Sequence, residues 1–291
     1  MKEERIVSPE CPLQEVLDAL PAGASVRLAP GIYRQKLQIR TPGLRLTGAG
    51  AGETVLLWDD YARKLHPDGR EYNTFRTWTV AVCADGVSME QLSVVNNALS
   101  PAEKGQEVAL SVYGDAFRME DCVLRSTQDT LFLGPLPEDL IRRYVDLLPA
   151  ELRADRPLSQ QFFRCRIEGS VDFIFGCGSA LFEDCEIRSV FDGRFGGFAA
   201  APAHALSQKE GFLFRDCAFT RDADVADGSI YLARPWRDYG LAVFEGCSYE
   251  AHIRPEGFDP WLDSGRDKTA RFIESPLRPG RVSWAKAQTE S

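Results

Sequence analysis

The chain has 291 residues, 44% of them apolar and 26% charged, with a formal net charge of −9. That composition is globular rather than disordered or membranous, and the length allows a sizeable core in one large or two ordinary domains. The acidic balance argues against a nucleic-acid partner, whose binding is driven by clustered Lys and Arg, and gives no long-range attraction for a polyanionic substrate.

The first residues, Met1 to Arg5, are charged and precede no apolar core of roughly 7–15 residues, so no secretory leader is visible. No segment approaches the roughly 18 apolar residues that span a bilayer, and no membrane partner is expected. The expected location is cytoplasmic, or secreted if a leader preceded the chain. From Pro12 to Leu20, apolar Leu13, Val16, Leu17 and Leu20 follow helical spacing and end at Pro21-Ala22-Gly23. Gly48-Ala49-Gly50-Ala51-Gly52 comes nearest to a phosphate loop but lacks its Lys and following helix, and reads better as a tight turn between strands. Short β-rich pieces follow at Thr79–Cys83, Ser88–Val95, Val108–Val112 and Phe212–Phe214.

Five cysteines sit in look-alike segments: Cys122, Cys165, Cys185, Cys217 and Cys247. Each has an apolar residue two positions later, on the same face of a strand. Their intervals are 43, 20, 32 and 30 residues. A base of roughly 20 residues with loops of variable length describes a stacked solenoid. The cysteines then form an interior row of small buried hydrophobes; disulfides or a reactive thiol are the functional alternatives. The first helix caps the solenoid. A second helical stretch, Pro137 to Leu152, belongs to an insertion of about 134–160 on a loop near the groove. The whole chain, 1–291, reads as one such domain. No two cysteines are spaced C-x-x-C, and the three histidines (His66, His204, His252) lie near no cysteine pair, so no metal site is expected.

Gly169-Ser170-Val171-Asp172-Phe173-Ile174-Phe175-Gly176 carries the chemistry. A carboxylate amid apolar strand residues costs several kcal/mol unless paired, so Asp172 should have a cationic or hydrogen-bonding partner. Leu232-Ala233-Arg234-Pro235-Trp236 offers one, and Gln128-Asp129-Thr130-Leu131 offers a second acid. Asp129 and Asp172 each lie seven residues after a repeat cysteine, Cys122 and Cys165. Stacked cysteines would therefore set the two acids side by side on the outer surface of adjacent coils. Two acids, an arginine and amide side chains point to a hydrolase.

These segments, with Gly31-Ile32-Tyr33 and Gly105-Gln106-Glu107-Val108-Ala109-Leu110, resemble in order the pectin methylesterase (pectinesterase) family, from about Leu13 to Trp261. The insertion after Gly134-Pro135-Leu136-Pro137 resembles that of bacterial members. The resemblance implies an all-β right-handed parallel β-helix with an N-terminal capping helix. It also implies removal of methyl esters from galacturonate units of pectin or methylated oligogalacturonides, with no cofactor. Departures from the family pattern are Gln35, Glu107, Ala233 and Trp78.

By that resemblance Asp172 attacks the ester carbonyl, and Arg234 keeps it ionised by lowering its pKa, about 1–3 units for a guanidinium in contact. Asp129 is the general acid for departing methoxide and then the base for water. Gln106 and Gln128 supply amide donors toward the oxyanion, Gln106 before Gln128. Trp236 lies against a sugar ring, Phe175 is a second groove residue, and Trp261 and Trp78 are further walls. The rival readings are a β-helix polygalacturonase or lyase and a non-catalytic carbohydrate-binding solenoid. Oligomeric state is not readable from the sequence.

Overall fold

The computed structural model describes residues 5–98, 104–148 and 156–287. Among them the chain winds as a right-handed parallel β-helix of three parallel sheets, with 11, 7 and 8 strands. One coil shows the plan. Phe117–Glu120 lies in the 11-stranded sheet, Val123–Arg125 in the 8-stranded sheet and Leu131–Leu133 in the 7-stranded sheet. The next coil repeats it with Ser159–Phe163, Arg166–Gly169 and Val171–Gly176.

A single residue turns the chain from the first of these sheets to the second. Gln91, Asp121, Arg164, Asp184 and Asp216 occupy that corner with φ between 49° and 54°, and Gly246 with φ 63°. The left-handed region suits Gly and is tolerated by Asp, which explains the Asp-Cys and Gly-Cys pairs of the repeat. It also divides the β-rich piece Ser88–Val95, which is not one continuous strand. The chain bends at Gln91 and forms Ser88–Glu90 and Ser93–Asn96 instead.

Register carries the repeat. Val123 pairs with Arg166, Arg166 with Glu186, Glu186 with Ala218 and Ala218 with Ser248, so the preceding cysteines stack. Cys122, Cys165, Cys185 and Cys217 are buried, and Cys247, on the last of these coils, is half-buried. All eight cysteines are free thiols. In the row each Sγ donates to the carbonyl two residues earlier, from 3.2 Å at Cys122 to 3.5 Å at Cys247. Burial pushes the Cys122 thiol up to about 12, and it stays protonated.

Beside this row Phe162, Phe182, Phe214 and Phe244 stack at centroid distances of 4.9, 4.7 and 5.0 Å with nearly parallel rings. Such a pair adds about 0.5–1.5 kcal/mol beyond its buried area. Helix α1 (Leu13–Asp18) closes the first coil with Leu13 and Leu17 buried, while Val16 and Leu20 pack against the core. Helix α2 spans only Glu138–Arg143, shorter than the Pro137–Leu152 stretch expected. Tyr144 leaves helical geometry at φ −112°, ψ 22°, ahead of Val145 and Asp146, two weak helix formers. The part of that stretch beyond 148 lies outside the described residues.

Candidate active site

Two adjacent strands of the 7-stranded sheet build the centre of the site. Leu131 pairs with Ile174 and Gln128 bridges Val171, so Asp129 and Asp172 leave equivalent points of neighbouring coils. The Asp129 N–H donates to the Val171 carbonyl at 3.0 Å. Both acids have positive φ, 63° for Asp129 and 49° for Asp172. Strained backbone of this kind costs about 1–3 kcal/mol and persists where surrounding structure imposes it. At Asp172 the cause is visible. Pairing with Gly197–Pro202 slips between Val171 and Ile174, and this bulge re-aims the carboxylate away from the sheet. The flanking glycines permit it. A Cβ at Gly169 would overlap Phe173, and one at Gly176, φ 132°, would overlap the Leu133 carbonyl.

Arg234 follows the strand Ile230–Ala233 and meets Asp172 with two parallel bonds, Nε to Oδ1 at 2.8 Å and Nη2 to Oδ2 at 2.6 Å. Its guanidinium lies between two aromatic faces, Phe198 at 3.7 Å and Trp261 at 3.9 Å from the ring centroids. Phe198 was not among the residues expected here. It comes from the next strand, and its ring stacks on Tyr231 at 5.5 Å.

The acids form a floor rather than standing on an open surface. Each is only 8% exposed. Arg234 does lower Asp172, as expected, but burial outweighs it. Burial acts first and pushes Asp172 up from the usual carboxylate range, while Arg234 and then Arg194 pull against it. Asp129 is pushed well above the range by burial and by the charge of Asp172, and among the described residues it has no guanidinium clamp of its own. The pair is therefore asymmetric in its surroundings: both acids are raised by burial, but Asp172 has a bidentate cation and the charge of Asp172 raises Asp129 further.

Above the acids lies a groove of about 480 Å³. Gln106 and Gln128 line it on one side, and both are half-buried. The Gln106 side chain is engaged by no described residue, whereas Gln128 Oε1 accepts from Arg194 Nη1 at 2.8 Å. Trp236 and Trp261 line the groove with Arg234 and Arg237. Phe175 reaches it too but is 2% exposed, with Phe132 packed below it and the edge of Trp236 at 5.7 Å. It supports Trp236 more than it offers a ring face.

Trp78, expected as a wall, is buried in the cluster beneath and does not line the groove. Lys36 Nζ sits 4.9 Å from its ring centroid and bonds Asp60 at 2.6 Å. The opposite side comes from Thr74 and Phe75 and from Leu140, Arg143 and Tyr144 of the 134–160 segment. Arg237 ties α2 to the Arg234 loop through Asp139, with Nη2 to Oδ2 at 2.8 Å. These residues carry no mark in the local sequence, because loops of unrelated length bring them together.

Paired acids on neighbouring coils, one clamped by an arginine beneath an aromatic-sided groove, define a hydrolase of the parallel β-helix class. The sequence matches the family described as Pectinesterase over residues 13–135 and 156–286, and the chain belongs to that family. It is 31% identical to Pectinesterase QRT1 of Arabidopsis thaliana over 95% of this chain and 70% of that protein. It is likewise 31% identical to Pectinesterase 31 of the same plant, over 95% and 83%. In fold it is similar to pectin methylesterase from carrot, with TM-score 0.83 at 24% identity, covering 100% of this chain and 90% of that one. A pectin methylesterase solved in complex with a hexasaccharide gives TM-score 0.81 at 24% identity, covering 100% and 94%.

Proposed function

We propose that this pectinesterase hydrolyses the methyl ester of galacturonate units in pectin or its methylated oligosaccharides, with Asp172 as nucleophile and Asp129 as acid and base. The observation that carries this is the asymmetry of the pair. Two buried acids in one site cannot both ionise cheaply, and of the two only Asp172 has a bidentate cation among the described residues.

The charged Asp172 attacks the ester carbonyl carbon, and the carbonyl electrons move onto oxygen. Gln106, whose amide no described residue engages, donates to that oxyanion. The tetrahedral intermediate collapses by breaking the bond to methoxide, which takes the Asp129 proton and leaves as methanol. Asp172 and the galacturonyl group are then joined as an anhydride. Asp129, now a carboxylate, takes a proton from water, whose oxygen attacks the anhydride carbonyl. Asp172 is released with its charge, and Asp129 is protonated again. Trp236 presents an aromatic face to the C–H face of a neighbouring sugar ring.

The test is methanol release from highly methylated oligogalacturonide, with product length followed in parallel. Methanol with unchanged chain length is expected; shortened chains without methanol would overturn the reading. Asp172→Asn, nearly isosteric, should lower the rate by about 10⁴-fold or more while the far-UV spectrum stays native.

A further inference from the structure

Arg194 takes no part in the scheme above, yet it is a second guanidinium within reach of the acids. It lies on the loop between the strands Glu186–Ser189 and Gly197–Pro202. A guanidinium has no acceptor, so its 2.8 Å bond to Gln128 identifies the oxygen end of that amide. The NH₂ end must then point the other way, into the groove that Gln128 shares with Asp129, and there Gln128 acts on the Asp129 carboxyl as a donor, lowering it.

Arg194 is itself held. Its Nε donates to Asp192 Oδ2 at 2.8 Å, its Nη2 reaches the same oxygen, and its backbone N–H donates to Oδ1 at 3.1 Å. The Asp192 side chain is 2% exposed and also takes the Ser170 hydroxyl at 2.5 Å. A chain of bonds thus runs from a buried carboxylate through a guanidinium to the amide of Gln128, the residue next to Asp129.

We infer that Arg194 is a positioning residue for the acid–base step: by fixing the Gln128 amide, it leaves the protonated oxygen of Asp129 facing the departing methoxide. The inference rests on Asp129 being the acid and base. Its chemistry is simple. The two ends of a glutamine amide are nearly isosteric, and an unfixed Gln128 can turn over. Turned, its oxygen would accept the Asp129 proton and draw it away from methoxide. Arg194 also brings positive charge that lowers both acids; the other charged groups around the pair are Arg234, which lowers both, Asp259, which raises Asp172, and Arg143 and Arg237, which line the same groove.

The test compares Arg194→Met and Arg194→Lys, each in the native and the Gln128→Ala background, by methanol release from methylated oligogalacturonide. Arg194→Met should lower kcat about 10- to 100-fold with KM changed by less than about twofold. In the Gln128→Ala background the same change should cost less than about threefold. Both limbs of the kcat–pH profile should move to higher pH in Arg194→Met, because both acids lose a nearby cation. Arg194→Lys keeps the charge, so its limbs should stay in place while kcat recovers only in part.

An unchanged kcat, a loss confined to KM, or an equal loss with and without Gln128 would overturn the inference. If Arg194→Met does not fold, the Arg194→Lys and Gln128→Ala cycle makes the same distinction. Absence of methanol from the native chain would overturn the proposed function itself, and is read before any variant.

Discussion

Arg234 grips Asp172 by a two-bond fork, 2.8 and 2.6 Å, while Phe198 and Trp261 cover the two faces of its guanidinium. Arg is suited to this place because its planar fork pairs with a carboxylate and its faces stack on aromatic rings. The clamp opposes the burial that would otherwise favour a neutral Asp172.

Arg234→Lys keeps the charge but loses both the fork and the stacking. Its kcat should fall about 10- to 100-fold. With less stabilisation of the charged form, Asp172 ionises at higher pH, so the acid limb of the kcat profile should move up. A pH–rate profile identical to that of the native chain would remove Arg234 from this role.

Asp129 links activity to stability. Burial and the Asp172 charge raise it well above its ordinary 3.8, so the folded chain holds this proton more tightly than the unfolded chain. The stability this contributes is present below the ordinary carboxylate range and is lost as pH rises through the folded value. Asp129→Asn, permanently neutral and tolerant of positive φ, escapes that loss. Thermal melts should show the variant more stable at pH 7, with the gap closing toward pH 4; each kcal/mol appears as about 2–4 °C. A gap that widens in acid would contradict the account. Activity should be lost at both pH values.

Trp236 and Phe175 touch each other but should respond differently. Trp236→Ala should raise KM for methylated oligogalacturonide about tenfold, the equivalent of about 1.4 kcal/mol. Phe175→Leu should cost about 1–1.5 kcal/mol of stability and leave KM within about twofold, because its ring is covered. Equal KM effects from the two would show that both rings meet the sugar.

The corner residues give a test of the fold alone. Asp184 is exposed, with φ 54°. Asp184→Val places a β-branched residue in the left-handed region and should destabilise the chain by about 1–2 kcal/mol in denaturant titration. Asp184→Gly should stay within about 0.5 kcal/mol of the native chain. Similar midpoints for Val and Gly would mean that the corner is not under backbone control.

Much of the architecture was legible because a solenoid turns sequence spacing into translation along one axis. The shared offset of Cys122 and Asp129 with Cys165 and Asp172 becomes the pairing of Leu131 with Ile174. The corner at Gln91 was missed because no Asp, Gly or Cys marks it there. Trp78 was misplaced because its motif neighbours say nothing of Lys36, which sits over its ring and is held by Asp60. Nor could local pattern reveal Arg194 or Phe198, which reach Gln128 and Arg234 from separate turns.

The order of the acids, the arginine and the amides along the chain, and the coil period that aligns the two aspartates, were properties of the sequence. Which acid keeps its proton was not. That depends on burial, the sum of atoms from every coil and loop that covers the site, and on where two guanidinium groups end up. Register repeats along a solenoid and shows in spacing; desolvation accumulates from residues at arbitrary separations, and only the folded chain brings them together.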